Sequence, residues 1–175
     1  MPEVKIELAN YIKTMSGNVL GFNIDDDKLI NELNRNNNII ECNLLSDKNS
    51  NIKGKGKSKI VNIKKIKKQF KKKKIDYIIS DVEAIDSYLK TFIKDSIYIN
   101  KNMIYIYTIK GYDYTNIVNR YKRYKIDIKI NECSDGYIIV LNVGNKKTNY
   151  FKDKWYYIID TLVNFVDLIG DVMAS

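Results

Sequence analysis

Apolar positions along this chain recur in two periods, near 3.6 and near 2, and the two periods separate helices from strands. Val4, Leu8, Tyr11, Ile12 and Met15 follow helical spacing and predict an amphipathic helix over 3–15, which Ser16-Gly17 stops. Val19–Ile24 is a short apolar run, read as a strand, and it leads into Asp25-Asp26-Asp27. Acids there suit the cap and first turn of a helix, which Leu29, Ile30 and Leu33 continue as far as Arg35. Ile39–Cys42 and Ile60–Ile63 predict a second and a third strand, and Ile63, Ile66 and Phe70 a helix after them. Ile75–Ile79 is a fourth strand ending at Ser80-Asp81, followed by a helix over Val82–Phe92 with Ile85, Leu89 and Phe92 as its stripe. Ile97-Tyr98-Ile99 reads as a small extended piece, and Met103–Ile109 is the strongest strand, the fifth. Gly111 and Asp113 then turn the chain into a helix with Ile117, Tyr121 and Tyr124 on one face.

The next stretch says most about topology. Residues Ile126–Asn131 alternate apolar and polar, the pattern of a strand wet on one face. Ser134-Asp135-Gly136 signals a hairpin turn, and Tyr137–Leu141 is continuously apolar, as in a strand buried on both faces. A half-exposed strand joined by a hairpin to a fully buried one places the second inside the sheet and leaves the first at its edge. A long helix is expected over 152–173, where Trp155, Ile158, Ile159, Leu162, Phe165, Val166 and Ile169 make a wide apolar face. Such a face packs on the sheet or on another subunit. No internal repeat or second domain is evident, so 1–175 reads as a single domain.

Composition narrows the chemistry. The 175 residues include no His, which excludes Ser-His-Asp and Cys-His catalysis and His-ligated zinc. Two cysteines, Cys42 and Cys133, make neither a disulfide framework nor a four-cysteine metal site; both read as small buried hydrophobes. No metal ligand set is expected. The formal net charge is +9, with 30 Lys+Arg against 21 Asp+Glu. Twelve lysines fall within Lys53–Lys74, a window without Asp or Glu; the remainder of the chain carries −3. The protein is thus a mildly acidic domain bearing one basic segment, and a loop over 46–58 opens that segment. Lys55, Lys57, Lys71, Lys72, Lys73 and Lys74 are the candidate contacts to RNA or DNA; the alternative is a solvated loop and helix face. Lys53-Gly54-Lys55-Gly56-Lys57-Ser58 lacks the spacing of a P-loop. No export signal and no apolar run of membrane-spanning length is evident, so the expected location is the cytoplasm.

The order of elements, with a buried antiparallel strand paired after five strands and their helices, resembles the class I S-adenosylmethionine-dependent methyltransferases. That resemblance implies an α/β, doubly wound, Rossmann-like sheet of seven mostly parallel strands. Its last strand is antiparallel, and a long C-terminal helix follows here. It also implies S-adenosylmethionine as cofactor, with an unknown methyl acceptor. In the family the first strand ends in an acid and three spaced glycines. Here Gly21 stands where the acid is expected, and Asn23, Asp25 and Asp27 stand at the glycine positions. By the same resemblance Gly21, Asn23 and Asp25 line the cofactor loop, Glu41 holds the ribose, Asn62 meets the adenine and Asp81 faces the cleft after the fourth strand. The alternative for Asp25–Asp27, Asp81 and Glu83 is helix capping without a ligand. The proline-containing motif of amino-methylating members is absent, since the chain's one Pro is Pro2. A non-catalytic member of the fold, serving as a nucleic-acid-binding or protein-interaction module, is the other reading. Homodimerisation through the helix at 152–173 is a further expectation.

Overall fold

Short runs of β-branched and aromatic residues, apolar on both sides, form strands wherever helices can cover both of their faces. The computed structural model describes residues 2–24, 26–35, 41–43, 66–70 and 74–144. Within these lie helices α1 (Glu3–Lys13), α2 (Asp27–Arg35), α3 (Ile66–Gln69), α4 (Val82–Ile85), α5 (Leu89–Ile99) and α6 (Thr115–Arg123). The strands are β1 (Val19–Phe22), β2 (Glu41–Asn43), β3 (Ile75–Asp81), β4 (Asn100–Ile109), β5 (Asp127–Glu132) and β6 (Gly136–Asn142).

Six described strands form one sheet in the order β2-β1-β3-β4-β6-β5. The first four run parallel, and β6 is antiparallel to both of its neighbours. The hairpin expectation therefore holds: β6 is inserted beside β4, and β5 is left at the edge. The expected third strand, Ile60–Ile63, lies outside the described residues, as do the loop at 46–58 and the helix at 152–173.

Each face of the sheet has its own core. Leu20, Phe22, Ile78, Ile104, Ile106, Ile139 and Leu141 point to one face, under α3, α5 and α6. Val19, Ile79, Tyr105, Tyr107 and Ile138 point to the other, under α1 and α2. Phe22 meets Phe92 edge-on, with ring centroids 5.5 Å apart. Tyr121 and Tyr124 are buried, as the helical spacing of α6 predicts. The Tyr121 hydroxyl lies 3.1 Å from Ser96 Oγ, so a buried polar pair is satisfied inside the core.

Two expected elements are corrected. The single helix expected over Val82–Phe92 is two, α4 and α5, with a 3-10 turn over Asp86–Tyr88 between them. Ile97-Tyr98-Ile99 is the last turn of α5, not an extended piece. Ile93 and Ile97 prolong the buried stripe of Leu89 and Phe92, and Ser96 Oγ donates back to Ile93 O at 3.0 Å. Burial of that stripe outweighs the strand preference of two isoleucines and a tyrosine.

Two contacts fix how β6 enters the sheet. A Cβ built on Gly136 would stand 2.1 Å from Thr108 O, so only glycine allows β6 to start this close to β4. The turn after β5 is tied to α1: Asp135 accepts the N–H groups of Glu3 (2.7 Å) and Val4 (2.9 Å), while Glu3 Oε2 accepts Ser134 N–H at 2.7 Å. The Ser134 hydrogen bond holds the Glu3 carboxyl below its ordinary pKa. Its contribution to stability is therefore complete above the ordinary carboxylate range and is lost as pH falls through the folded-state value.

Gly136→Ala should lower stability by roughly 1–3 kcal/mol or more, read from urea unfolding; an unchanged midpoint would contradict the close approach. Glu3→Gln keeps an acceptor for Ser134 but removes the titration. It should flatten the acid-side slope of stability against pH while leaving the neutral-pH melting temperature nearly unchanged.

Candidate functional site

In an open α/β sheet the connections leave a crevice at the carboxyl ends of two strands whose chains depart in opposite directions. Here that point lies between β1, which leads outward to β2, and β3, on its other side. Phe22 is level with Ser80, so Asn23 and Asp81 follow at the mouth of the crevice.

Asn23 has φ 53°, in the left-handed region. Asparagine is one of the few non-glycine residues that visit it readily. The turn is held from the far side: Tyr107, at the end of β4 and level with Asp81, donates its hydroxyl to Asn23 O at 3.1 Å. Ile24, fully buried, anchors the other side of the turn.

The acids around the crevice are engaged as caps. Asp26 Oδ1 accepts the N–H groups of Lys28 (2.9 Å) and Leu29 (3.2 Å) at the start of α2, and the Lys5 ammonium stands 3.9 Å from its other oxygen. Asp81 accepts Glu83 N–H at 2.9 Å and caps α4. On the outer rim the Tyr112 hydroxyl donates to Asp86 Oδ1 at 2.5 Å; burial, then the Asp86 carboxylate, pushes that phenol's pKa up. Asp113 accepts Thr115 N–H at 2.9 Å, and this bond lowers its pKa. The mouth is thus acidic and aromatic. The first N–H groups of α2, which would face an anionic ligand, already face a carboxylate of the chain itself.

The sequence-derived candidates fall as follows. Gly21 lies inside β1, buried, between Cys42 and Ile79, two residues short of the turn at Asn23. Asn23 makes the turn and Asp81 borders the crevice. Glu41 opens the described part of β2, level with Leu20, whereas Asn43 is level with Phe22 and reaches the crevice mouth. Asp25, Asn62, Lys55, Lys57, Lys71, Lys72 and Lys73 lie outside the described residues. Lys74 is exposed, and its carbonyl accepts from Asn18 Nδ2 at 2.9 Å, at the amino end of β3 and thus the opposite end of the sheet from the crevice. Lys67 places its ammonium 4.7 Å from the centre of the Tyr98 ring. Cys133 is buried, and burial pushes its thiol pKa up. Among the described residues no group of three or more His, Cys, Asp or Glu could hold a metal ion, and no helix is long and apolar enough to cross a membrane.

Tyr107 and Asn43 were not foreseen as site residues. Tyr107 had one sequence signal, a hydroxyl at the end of the strongest apolar strand. Asn43 had none, because its place depends on the register of β2 against β1.

For a nucleoside cofactor, the backbone fits: a left-handed turn after β1, a crevice at the switch point and a strand end on each side. The donor set differs from the family pattern, since Asp26 occupies the N-terminus of α2.

No family model matches the chain, and no curated protein matches it in sequence. Solved structures do match its fold. A SAM-dependent methyltransferase from Archaeoglobus fulgidus superposes with a TM-score of 0.60 at 14% identity, covering 79% of this chain and 92% of the other. Sp1610 from Streptococcus pneumoniae, assigned as a tRNA (m1A22) methyltransferase and bound to S-adenosyl-L-methionine, superposes with a TM-score of 0.55 at 13% identity, over 88% and 78% of the two chains. TrmK from M. capricolum, bound to S-adenosyl-homocysteine, gives 0.53 at 14% identity, over 93% and 86%. At these identities the likeness is one of fold, and that fold is the class I SAM-dependent methyltransferase fold.

Asn23→Gly should leave stability unchanged, while Asn23→Val should cost roughly 1–2 kcal/mol at this left-handed position. Asp26→Ala should cost about 1 kcal/mol as a lost helix cap. Urea unfolding of the three variants checks both; equal midpoints for the glycine and valine variants would contradict the left-handed turn.

Proposed function

We propose that the protein binds S-adenosylmethionine in the crevice between β1 and β3 and acts as a methyltransferase-like protein with RNA as its acceptor class. The observation that carries this reading is the left-handed turn at Asn23, held by Tyr107, at the topological switch point of the sheet. Two of the similar structures hold S-adenosylmethionine or its demethylated product. In this reading Asn23 and Asp25 form the cofactor loop after the strand that holds Gly21, Glu41 or Asn43, two residues on, meets the ribose, and Asn62 meets the adenine. Asp81 borders the space for the acceptor. The acidic mouth suits the ammonium and sulfonium of this ligand better than its carboxylate. When bound, S-adenosylmethionine supplies an electrophilic methyl group. The chain's part is to hold that group, exclude water from it and align an acceptor.

The same reading extends the sheet to seven strands, counting Ile60–Ile63, and adds a helix over 152–173 within a single domain 1–175. It assigns RNA contact to the Lys53–Lys74 segment, supported by its charge and by the assignment of one similar structure to tRNA methylation. A second reading, the fold kept without a cofactor, draws on one observation: Asp26 already fills the N-terminus of α2.

Isothermal titration of the purified chain with S-adenosylmethionine and S-adenosylhomocysteine tests the proposal. Micromolar binding of either ligand is expected, and Tyr107→Phe should weaken it without unfolding the protein. No heat from either ligand in folded protein overturns the cofactor assignment and favours the second reading. RNA binding should fall steeply with salt, and replacing Lys71–Lys74 with Gln should weaken it while thermal stability stays unchanged. Equal affinity in that variant removes the lysine segment from the interface.

A further inference from the structure

Among the described residues β5 is paired on one side alone, with β6. The hairpin dictates where its backbone groups point. Cys133 N–H donates to Gly136 O at 2.8 Å, which makes these two a hydrogen-bonded pair. Such pairs alternate with non-bonded ones along an antiparallel ladder. Asn131, Lys129 and Asp127 therefore turn their backbone groups toward β6, and Ile128, Ile130 and Glu132 turn theirs outward. The result is an open half-ladder, with no proline and no register shift across its six pairs. Natural edges are often blunted by proline, bulges, a covering segment or charged side chains; among the described residues this one carries only the charges of Asp127, Lys129 and Glu132. Side chains alternate as well. Asp127 and Lys129 are exposed on one face, while on the other Ile128 is half-buried and Ile130 is 39% exposed.

We propose that β5 pairs antiparallel with β5 of a second copy of this chain, about a two-fold axis at Ile128, so that one continuous sheet runs through the dimer. The choice of register rests on charge. With the axis at Ile128, Asp127 stands opposite the partner's Lys129, and Lys129 opposite the partner's Asp127. Ile126 then stands opposite the partner's Ile130, so apolar residues oppose apolar ones on the other face. With the axis at Lys129, two ammonium groups meet directly; with the axis at Ile130, Ile128 is set against the partner's Glu132. Opposite charges directly across a strand pair are favourable and like charges are not.

The same register serves the flank of the edge. A cleft of about 560 Å³ runs between α1 and the end of β5, where Glu3, Glu7 and Glu132 outnumber the one base, Lys129, in its lining. The Asn131 side chain, hydrogen-bonded to the Tyr11 hydroxyl, marks its floor. Beyond the paired strands, the left-handed turn at the partner's Lys125 lies toward the end of β5 that carries Asn131, so a basic residue approaches the cleft. A closed two-fold interface of this kind uses the same patch on both copies. The inference is independent of whether a cofactor binds.

Sedimentation velocity of the full chain tests it. The wild type should form a dimer, and Asp127→Lys or Lys129→Asp alone should raise its dissociation constant roughly tenfold or more. The double exchange, Asp127→Lys with Lys129→Asp, should restore it. Both positions are exposed, and circular dichroism melts show whether each variant is folded. A wild type that stays monomeric at its highest soluble concentration overturns the proposal and leaves Asp127 and Lys129 as charges that keep the edge single. A dimer that survives both single reversals but is lost in Phe165→Asp also overturns it, in favour of an interface built by residues 152–173.

Discussion

The insertion of β6 between β4 and β5 sets where the neighbouring elements can go. An antiparallel strand enters an otherwise parallel sheet only if it is apolar on both faces and can approach its neighbour at the point of entry. Ile138, Ile139 and Leu141, all fully buried, meet the first condition. Gly136 meets the second, where a Cβ would collide with Thr108 O. Once β6 is seated, β5 has no place but the edge, and its outward face stays wet. The hairpin between them then becomes an anchor for α1, through the paired carboxylates of Glu3 and Asp135.

The crevice is a product of chain order more than of a side-chain motif. Strand order places the carboxyl ends of β1 and β3 together, and Asn23 adopts the turn for which glycine is the default. What differs is the charge within. Asp26 satisfies the start of α2 from inside the chain. That stabilises the helix and removes donors that an external anion would need. A ligand with cationic groups is compatible with this arrangement, and an anionic one competes with a tethered carboxylate.

Much of the fold was legible because helix and strand periods are local properties. The alternation of 126–131 beside the unbroken apolar run of 137–141 is enough to locate both the edge and the inserted strand. The same logic failed at Ile97–Ile99, where a strand-like triplet became helix. There the stripe it prolongs, packed on the sheet and joined to Tyr121 through Ser96, outweighs local preference. The candidate site was less legible. Asn23 and Asp81 could be placed from strand ends. The offset of Glu41 from the crevice mouth depends on how β2 aligns with β1.

The order of elements, the sidedness of each, the capping role open to Asp26 and Asp81, and the placing of the net positive charge in one segment could all be read from the chain alone. Which residues meet across the fold could not be read that way. Tyr107 reaches Asn23 across 84 residues of chain, Asp135 caps a helix more than 130 residues before it, and the backbone groups of β5 that turn away from β6 fall at Ile128, Ile130 and Glu132. The reason is physical. A period is set by bonds between near neighbours, and each turn or strand repeats it. A register between distant strands is set by many weak contacts at once, none of which is written at a single position.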